Sequence, residues 1–254
     1  MSNYDRNAPG QFGTGLSRAG SSELDAGLRA YMQGVYNHMA IGVAITGLVA
    51  YATYFMAVTT GAGGQQVLTS FGQTMFHSPL RWVVMLAPLA FVFFFSFRIN
   101  TMSASAARSI FYSFAAVMGL SLSVILLVYT QNSVARAFFV SAATFGALSL
   151  YGYTTKKDLT AIGTFCFMAL IGLILASIVN MFLGSSGFAF LISAATILIF
   201  AGLTAWDTQS IKEMYFEGDS HDVATRKSIN GALQLYLDFI NIFQSVLSLI
   251  GDRR

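Results

Sequence analysis

Seven stretches of this chain stay apolar for about as long as a hydrocarbon core is thick. They cover residues 34–58, 82–99, 109–130, 137–153, 161–183, 187–214 and 229–250. A helix of about 20 residues spans roughly 30 Å. In lipid, every backbone N–H and C=O has to find its partner inside the spanning element, which leaves helices as the solution for runs of this length. The reading is an all-α membrane protein, a seven-transmembrane-helix bundle. Composition agrees: charged residues are 10% of the chain and hydrophobic ones 55%, against about 25% charged in a soluble domain.

Residues 1–30 are polar and rich in Gly, Ser and charge. They lack the apolar core of a cleavable signal peptide, so they read as a disordered cytoplasmic tail before a transmembrane domain at 31–254. The single Cys166 excludes an intramolecular disulfide and a cysteine-based metal site; its expected role is that of a small core hydrophobe. The net charge of +3 is spread over the loops without a basic stripe, so nucleic acid is not an expected partner. No Walker loop or HExxH motif occurs, and His38, His77 and His221 fall in different segments. A hydrogen-bonded structural role is expected for His38. No tightly bound cofactor is expected.

Seven crossings divide the loops into two sets. Ten of the fourteen basic residues (Arg6, Arg18, Arg29, Arg98, Arg108, Lys156, Lys157, Lys212, Arg226 and Lys227) fall in one set, and Arg81, Arg136, Arg253 and Arg254 in the other. Cytoplasmic loops carry the excess of Lys and Arg, so the N-terminus is expected in the cytoplasm. The Arg253–Arg254 pair pulls the other way, leaving open a last helix that does not cross fully. The loops "TTKKD" (154–158) and "GSSG" (184–187) are short enough to force antiparallel hairpins. The Gly-rich 60–80 loop reads as a mobile surface segment. Ala142, Gly146 and Ser149 form a small-residue stripe suited to close helix packing, and Pro88 is expected to bend the second helix.

Eleven acids are present, and nine of them fall in tails, loops or helix ends. The other two are Asp207 in "LTAWDTQSI" and Asp238 in "LQLYLDFINIFQ". Nine residues past the start of its apolar run, Asp238 would lie about 13–14 Å deep. An aspartate at a helix centre costs about 2.5–3.5 kcal/mol, so it should face the bundle interior and have a partner. In an antiparallel hairpin, level residues have a constant sum of positions; the midpoint of 207 and 238 is 222.5, inside the 215–228 loop. The two aspartates are therefore expected at similar heights on adjacent helices. Gln234, Asp238 and Asn241 share one helical face, and Thr208 flanks Asp207. Simpler roles compete: Asp207 at the headgroup level, and Asp238 as a hydrogen-bond acceptor for a neighbouring helix.

The segments "WDTQSI" and "LQLYLDFINIFQSVLSL", separated by a loop and placed at the C-terminal end, resemble the Bax-inhibitor-1 family, in a bacterial form. The resemblance implies a seven-helix bundle with a central last helix, in the bacterial plasma membrane. It implies a pH-sensitive calcium leak in which Asp207 and Asp238 form a proton-sharing pair. It also implies a latch on Asp207 from an arginine at the cytoplasmic end of the second helix, matched here by Arg98. Family members with that latch carry an acid earlier in the second helix, and "RWVVMLAPLAFVFFFSF" has none. Two carboxyl groups close together in low dielectric cannot both ionise cheaply, so they titrate as a unit. Ca²⁺ takes 6–8 oxygen ligands and two carboxylates offer at most four. Thr208, Asn241 or water would complete a transient site, as conduction requires.

Two other readings stand beside this one. A non-conducting modulator of other membrane proteins, such as a membrane protease, would need no ion path. An intramembrane aspartyl protease would also place two aspartates on consecutive helices, but its Gly-x-Gly-Asp motif is absent here, where "YL" precedes Asp238. The expected partners are the bilayer, calcium and protons, and other membrane proteins under the modulator reading.

The charge bias makes a direct prediction about threading. A cysteine placed at position 68 should react with an impermeant reagent in intact cells, and one at 157 should not. Labelling at 157 without labelling at 68 reverses the topology.

Overall fold

A computed structural model describes residues 13–61, 65–98 and 102–254 of the chain. Eight helices account for nearly all of them: α1 (Gly13–Ala57), α2 (Ser70–His77), α3 (Leu80–Arg98), α4 (Ala104–Val128), α5 (Gln131–Thr154), α6 (Thr160–Leu183), α7 (Ser186–Glu213) and α8 (His221–Ile250). Two three-residue strands, β1 (Val58–Thr60) and β2 (Gln66–Leu68), form an antiparallel hairpin after α1. Six helices are long and apolar enough to cross a membrane. A seventh crossing is reached if α2 and α3, bent by 63° at their junction, count as one span.

Helix α1 begins at Gly13 and is continuous with the first span; residues 1–12 of the expected tail lie outside the described residues. Two expectations change here. The 60–80 loop is a hairpin followed by a short helix, with Thr69 capping α2 through Gly72 N–H. The sharp bend sits at Ser78–Pro79 between α2 and α3, and α3 runs on through Pro88.

Helix ends in lipid need partners for their free N–H groups. Ser103, Thr130, Ser185 and Ser220 supply them: each accepts from the N–H three residues on and starts α4, α5, α7 and α8 respectively. Gly184, at φ +62°, ends α6 in the left-handed conformation that favours glycine.

The last helix is the axis of the bundle. Of its most apolar 18-residue stretch 61% is buried, against 11–33% for the other spans. It packs on α7, α1, α5 and α4, while α6 leans on α7 and α3 on α4. Packing in lipid gains little from hydrophobicity and depends on close fit. Gly152 of α5 lies against the carbonyl of Ala205 on α7, and Gly119 of α4 against the carbonyl of Thr46 on α1. Of the expected small-residue stripe, Ser149 meets α7 and Ala142 packs against the core, while Gly146 has nothing within 4 Å of where a Cβ would stand. Cys166 packs its sulfur against Gly202, and His38 Nδ1 bonds Tyr112 Oη at 2.8 Å.

The bundle has two ends. At the near end, Arg226 of α8 donates to the Met102 carbonyl at the foot of α4 (3.2 Å), and Lys212 donates to the Tyr153 carbonyl at the close of α5 (2.9 Å). At the far end the last residues are woven into the structure. Arg253 forms an antiparallel bridge with Tyr129, Asp252 N–H donates to Ser133 Oγ (2.9 Å), and Arg254 N–H donates to the Val128 carbonyl (2.9 Å). The last helix therefore runs the full length of the bundle.

The two glycines of α5 give a matched test. Gly152→Ala should cost about 1–3 kcal/mol, because its methyl meets backbone that cannot yield. Gly146→Ala should be neutral or mildly stabilising. Thermal unfolding of the purified variants in detergent measures both; equal midpoints would mean that α5 and α7 do not approach as described.

Candidate functional site

Antiparallel packing of α7 on α8 sets the register of the site. Ser193 Oγ donates to Ser248 Oγ (3.1 Å) at the far end, and Gly231 receives Ile211 towards the near end. Lys227 Nζ reaches the Met214 carbonyl at 3.0 Å and Asp219 at 2.6 Å. Because Met214, just past the end of α7, is level with Lys227, about two turns of α8 project beyond α7. The same register brings Asp207 and Asp238 face to face, their carboxyl groups within hydrogen-bonding range. Asp238 is 3% exposed and sits about 18 Å from the Ile250 end of its helix. The pair therefore lies inside the spanning part of the bundle rather than at a headgroup surface.

The neighbours of the pair differ in part from those the sequence brings forward. Thr204, one turn before Asp207, is fully buried. Its hydroxyl donates to the Phe200 carbonyl (2.7 Å) and lies within hydrogen-bonding range of Asp238. Thr208 points elsewhere: it donates to the Thr204 carbonyl (2.8 Å) and meets Ser149 Oγ of α5 at 2.9 Å. Ser149 in turn bonds Tyr36 Oη of α1 at 2.6 Å. Thr204 is visible in the sequence as a hydroxyl at i−3 from Asp207. Ser149 and Tyr36 come from distant helices and carry no local signal.

Oδ2 of Asp238 is buried and has no hydrogen-bond partner among the described residues. Buried polar atoms are nearly always paired, so this oxygen is an acceptor open to a proton or a cation. Among the described residues no third His, Cys, Asp or Glu joins the two aspartates.

Gln234 and Asn241 belong to a longer feature. Between Ser228 and Ser248, six residues of α8 are not buried: Asn230, Gln234, Leu237, Asn241, Gln244 and Ser248. Their spacing of four, three, four, three, four draws one stripe along the helix, and all but Leu237 are polar. Asp238 lies at its buried edge. Towards the far end the stripe opens into a cleft of about 550 Å³ between α6, α7 and α8, with Ser177, Ser193, Thr196, Asn241, Gln244 and Ser248 among its walls. Asn241 itself donates to the Leu237 carbonyl (2.8 Å). Towards the near end, a second cavity of about 360 Å³ is lined by Arg29, Gln33, Tyr36, Ser149 and Tyr153 among others. The Tyr36–Ser149–Thr208 chain leads from it to the residue beside Asp207.

Arg98 is exposed at the end of α3, a helix that packs chiefly on α4 and α2. Asp158, in the loop before α6, accepts from Thr160 N–H at 2.8 Å. Hydrogen bonds from the Thr160 side chain and backbone hold its carboxyl below the usual aspartate range.

A family model described as Inhibitor of apoptosis-promoting Bax1 matches residues 28–254. The chain belongs to the Bax inhibitor-1 family. Among its relatives, the inner membrane protein YbhL of Escherichia coli is 43% identical over 232 residues, 90% of this chain and 94% of that protein. An uncharacterized protein of Rickettsia prowazekii is 42% identical, over 91% of this chain and 93% of its own. An uncharacterized membrane protein of Streptococcus pyogenes is 36% identical, over 91% and 96%. The aspartate pair and the polar stripe of α8 thus belong to a Bax inhibitor-1 family membrane protein.

Proposed function

We propose that this protein is a pH-sensitive calcium leak of the bacterial plasma membrane, with seven crossings and a cytoplasmic N-terminus, gated by the Asp207–Asp238 pair. The observation that carries the reading is the direct meeting of two carboxyl groups inside the spanning region, with cavities that bear some polar side chains toward both ends of the bundle. Calcium is the transported ion here, not a resident cofactor.

A proton shared between the two carboxyl groups links α7 to α8. Its loss leaves two like charges in a low-dielectric site, and their repulsion weakens the contact. A cation relieves that repulsion. Ca²⁺ would take oxygens from both aspartates, including the open Oδ2 of Asp238, with water, the Thr204 hydroxyl and the Asn241 side-chain carbonyl as further donors. Arg98 is the proposed competing cation: as a latch it would hold Asp207 in its charged form without an ion passing. The other reading, a non-conducting modulator of other membrane proteins, has no need of flux.

In liposomes of purified protein, calcium flux should rise as pH is raised and the shared proton leaves. Asp207→Asn and Asp238→Asn should each abolish the pH dependence, since one carboxyl cannot share a proton with itself. Asp158→Asn is the control: that carboxyl already stays charged to unusually low pH and lies outside the pair, so the profile should not move. Protein that passes no calcium at any pH supports the modulator reading, and single Asn variants with normal profiles remove the pair from the gate.

A further inference from the structure

A third cavity, of about 440 Å³, lies away from the aspartates in the half of the bundle nearer the far end. It is an apolar groove between α1 and α5 with α4 and α8 as its floor; Ala50, Leu122, Ala135, Phe139 and Ile240 are among its walls. Its size falls within the range of about 300–1,000 Å³ usual for ligand pockets. Gly47 faces it, and a Cβ there would meet nothing within 4 Å.

The far-end arginines stand over this groove. Arg254 donates to Tyr54 Oη (3.0 Å) and Gln66 Oε1 (2.6 Å), and Tyr54 is one turn beyond the groove residues Ala50 and Tyr51. Arg253 lies over the ring of Tyr129 at 5.8 Å, one turn beyond the groove residues Ile125 and Leu126. Exposed Arg136 follows the wall residue Ala135. Among the described residues none of the three pairs with a carboxylate. The described segments that meet at this end, 58–61, 65–81, 129–136, 184–187 and 251–254, contain a single acidic side chain, that of Asp252, which accepts from Ser133 Oγ (3.2 Å).

An apolar slot below a rim of arginines without carboxylate partners among the described residues is complementary to one chemistry, an acyl chain carrying an anionic head. We propose that the groove binds an anionic phospholipid, with an acyl chain between α1 and α5 and its phosphate on Arg253 and Arg254. A guanidinium lying over a tyrosine ring keeps its N–H edge available, and that edge matches phosphate in two-point geometry. The site is separate from the gate, so it stands whether or not the protein conducts.

Native mass spectrometry of the full chain, released from detergent with equal amounts of phosphatidylglycerol and phosphatidylethanolamine of the same acyl chains, tests this. The wild type should retain one phosphatidylglycerol with about tenfold preference. Gly47→Leu and Ala135→Leu fill the groove from opposite walls, and each should lose retained lipid of both kinds while unfolding at the wild-type temperature. Arg253→Gln with Arg254→Gln should retain lipid but lose the preference. A wild type without preference overturns the proposal, as does either folded filler variant that keeps phosphatidylglycerol at the wild-type level. A two-copy species abolished by Gly47→Leu would overturn it as well, by making the groove a subunit contact.

Discussion

The contact between α7 and α8 sets the conditions for the rest of the bundle. It carries two carboxyl groups into the interior of the bundle, Asp238 buried and Asp207 half-buried, so each gains from the other. Removing α7 from α8 would leave Asp238 as a buried acid facing apolar neighbours, a state that costs several kcal/mol. Pairing turns this cost into specificity: α8 can meet α7 in one register and at one rotation. The small side chains follow from the same demand. Gly231 lets Ile211 in, and Gly152 lets α5 approach Ala205, two residues before Asp207. The hydroxyl chain from Tyr36 through Ser149 to Thr208 then fixes the face of α7 beside the carboxyl.

The polar stripe of α8 explains why a central helix still has an uncovered side. A fully enclosed axis would be apolar all round. Here α6 and α3 sit outside the inner ring, on α7 and α4, and the side they leave open bears Asn230, Gln234, Asn241, Gln244 and Ser248. Amides and hydroxyls facing lipid tails would be costly, so a stripe of this composition suits water or a moving helix. Its alignment with Asp238 ties access to the carboxyl pair to the same opening.

Much of this arrangement is legible in the sequence, because lipid enforces long apolar runs and penalises stray charge. Asp207 and Asp238 stand out as the two acids inside such runs, and the hairpin arithmetic places them within about one turn of each other even though two turns of α8 overhang α7. The polar face of α8 can be read from Gln234 and Asn241 alone. The misplaced details are those that depend on which way a side chain turns. Thr208 is adjacent to Asp207 in sequence, but 100° of helical rotation sends it to Ser149, while Thr204 at i−3 returns to the pair. Pro88 is tolerated within α3, whereas Pro79 follows a residue capped by its own turn and marks the break. Gly146 and Gly152 are indistinguishable as letters; only the path of α7 decides which one it touches.

The axial position of α8 needs its own explanation. Within a bilayer, sliding a helix along its axis changes little apolar burial, because lipid replaces protein as an equally apolar neighbour. A slide of one turn, about 5.4 Å, would nonetheless separate Asp238 from Asp207. Polar anchors at both ends resist it. At the near end Lys227 is held by Asp219 and the Met214 carbonyl. At the far end Asp252 is held by Ser133, and the backbone of residues 252–254 pairs with Val128, Tyr129 and Thr130. These contacts lie at the two ends of the bundle, where hydrogen bonds fix position in a way that apolar packing cannot. The "GDRR" residues that look, by charge alone, as if they belong with the cytoplasmic set are thus the far anchor of the helix that carries the site. Their backbone bonds hold α8 in register, and Arg254 ties its side chain to Tyr54 and Gln66 as well.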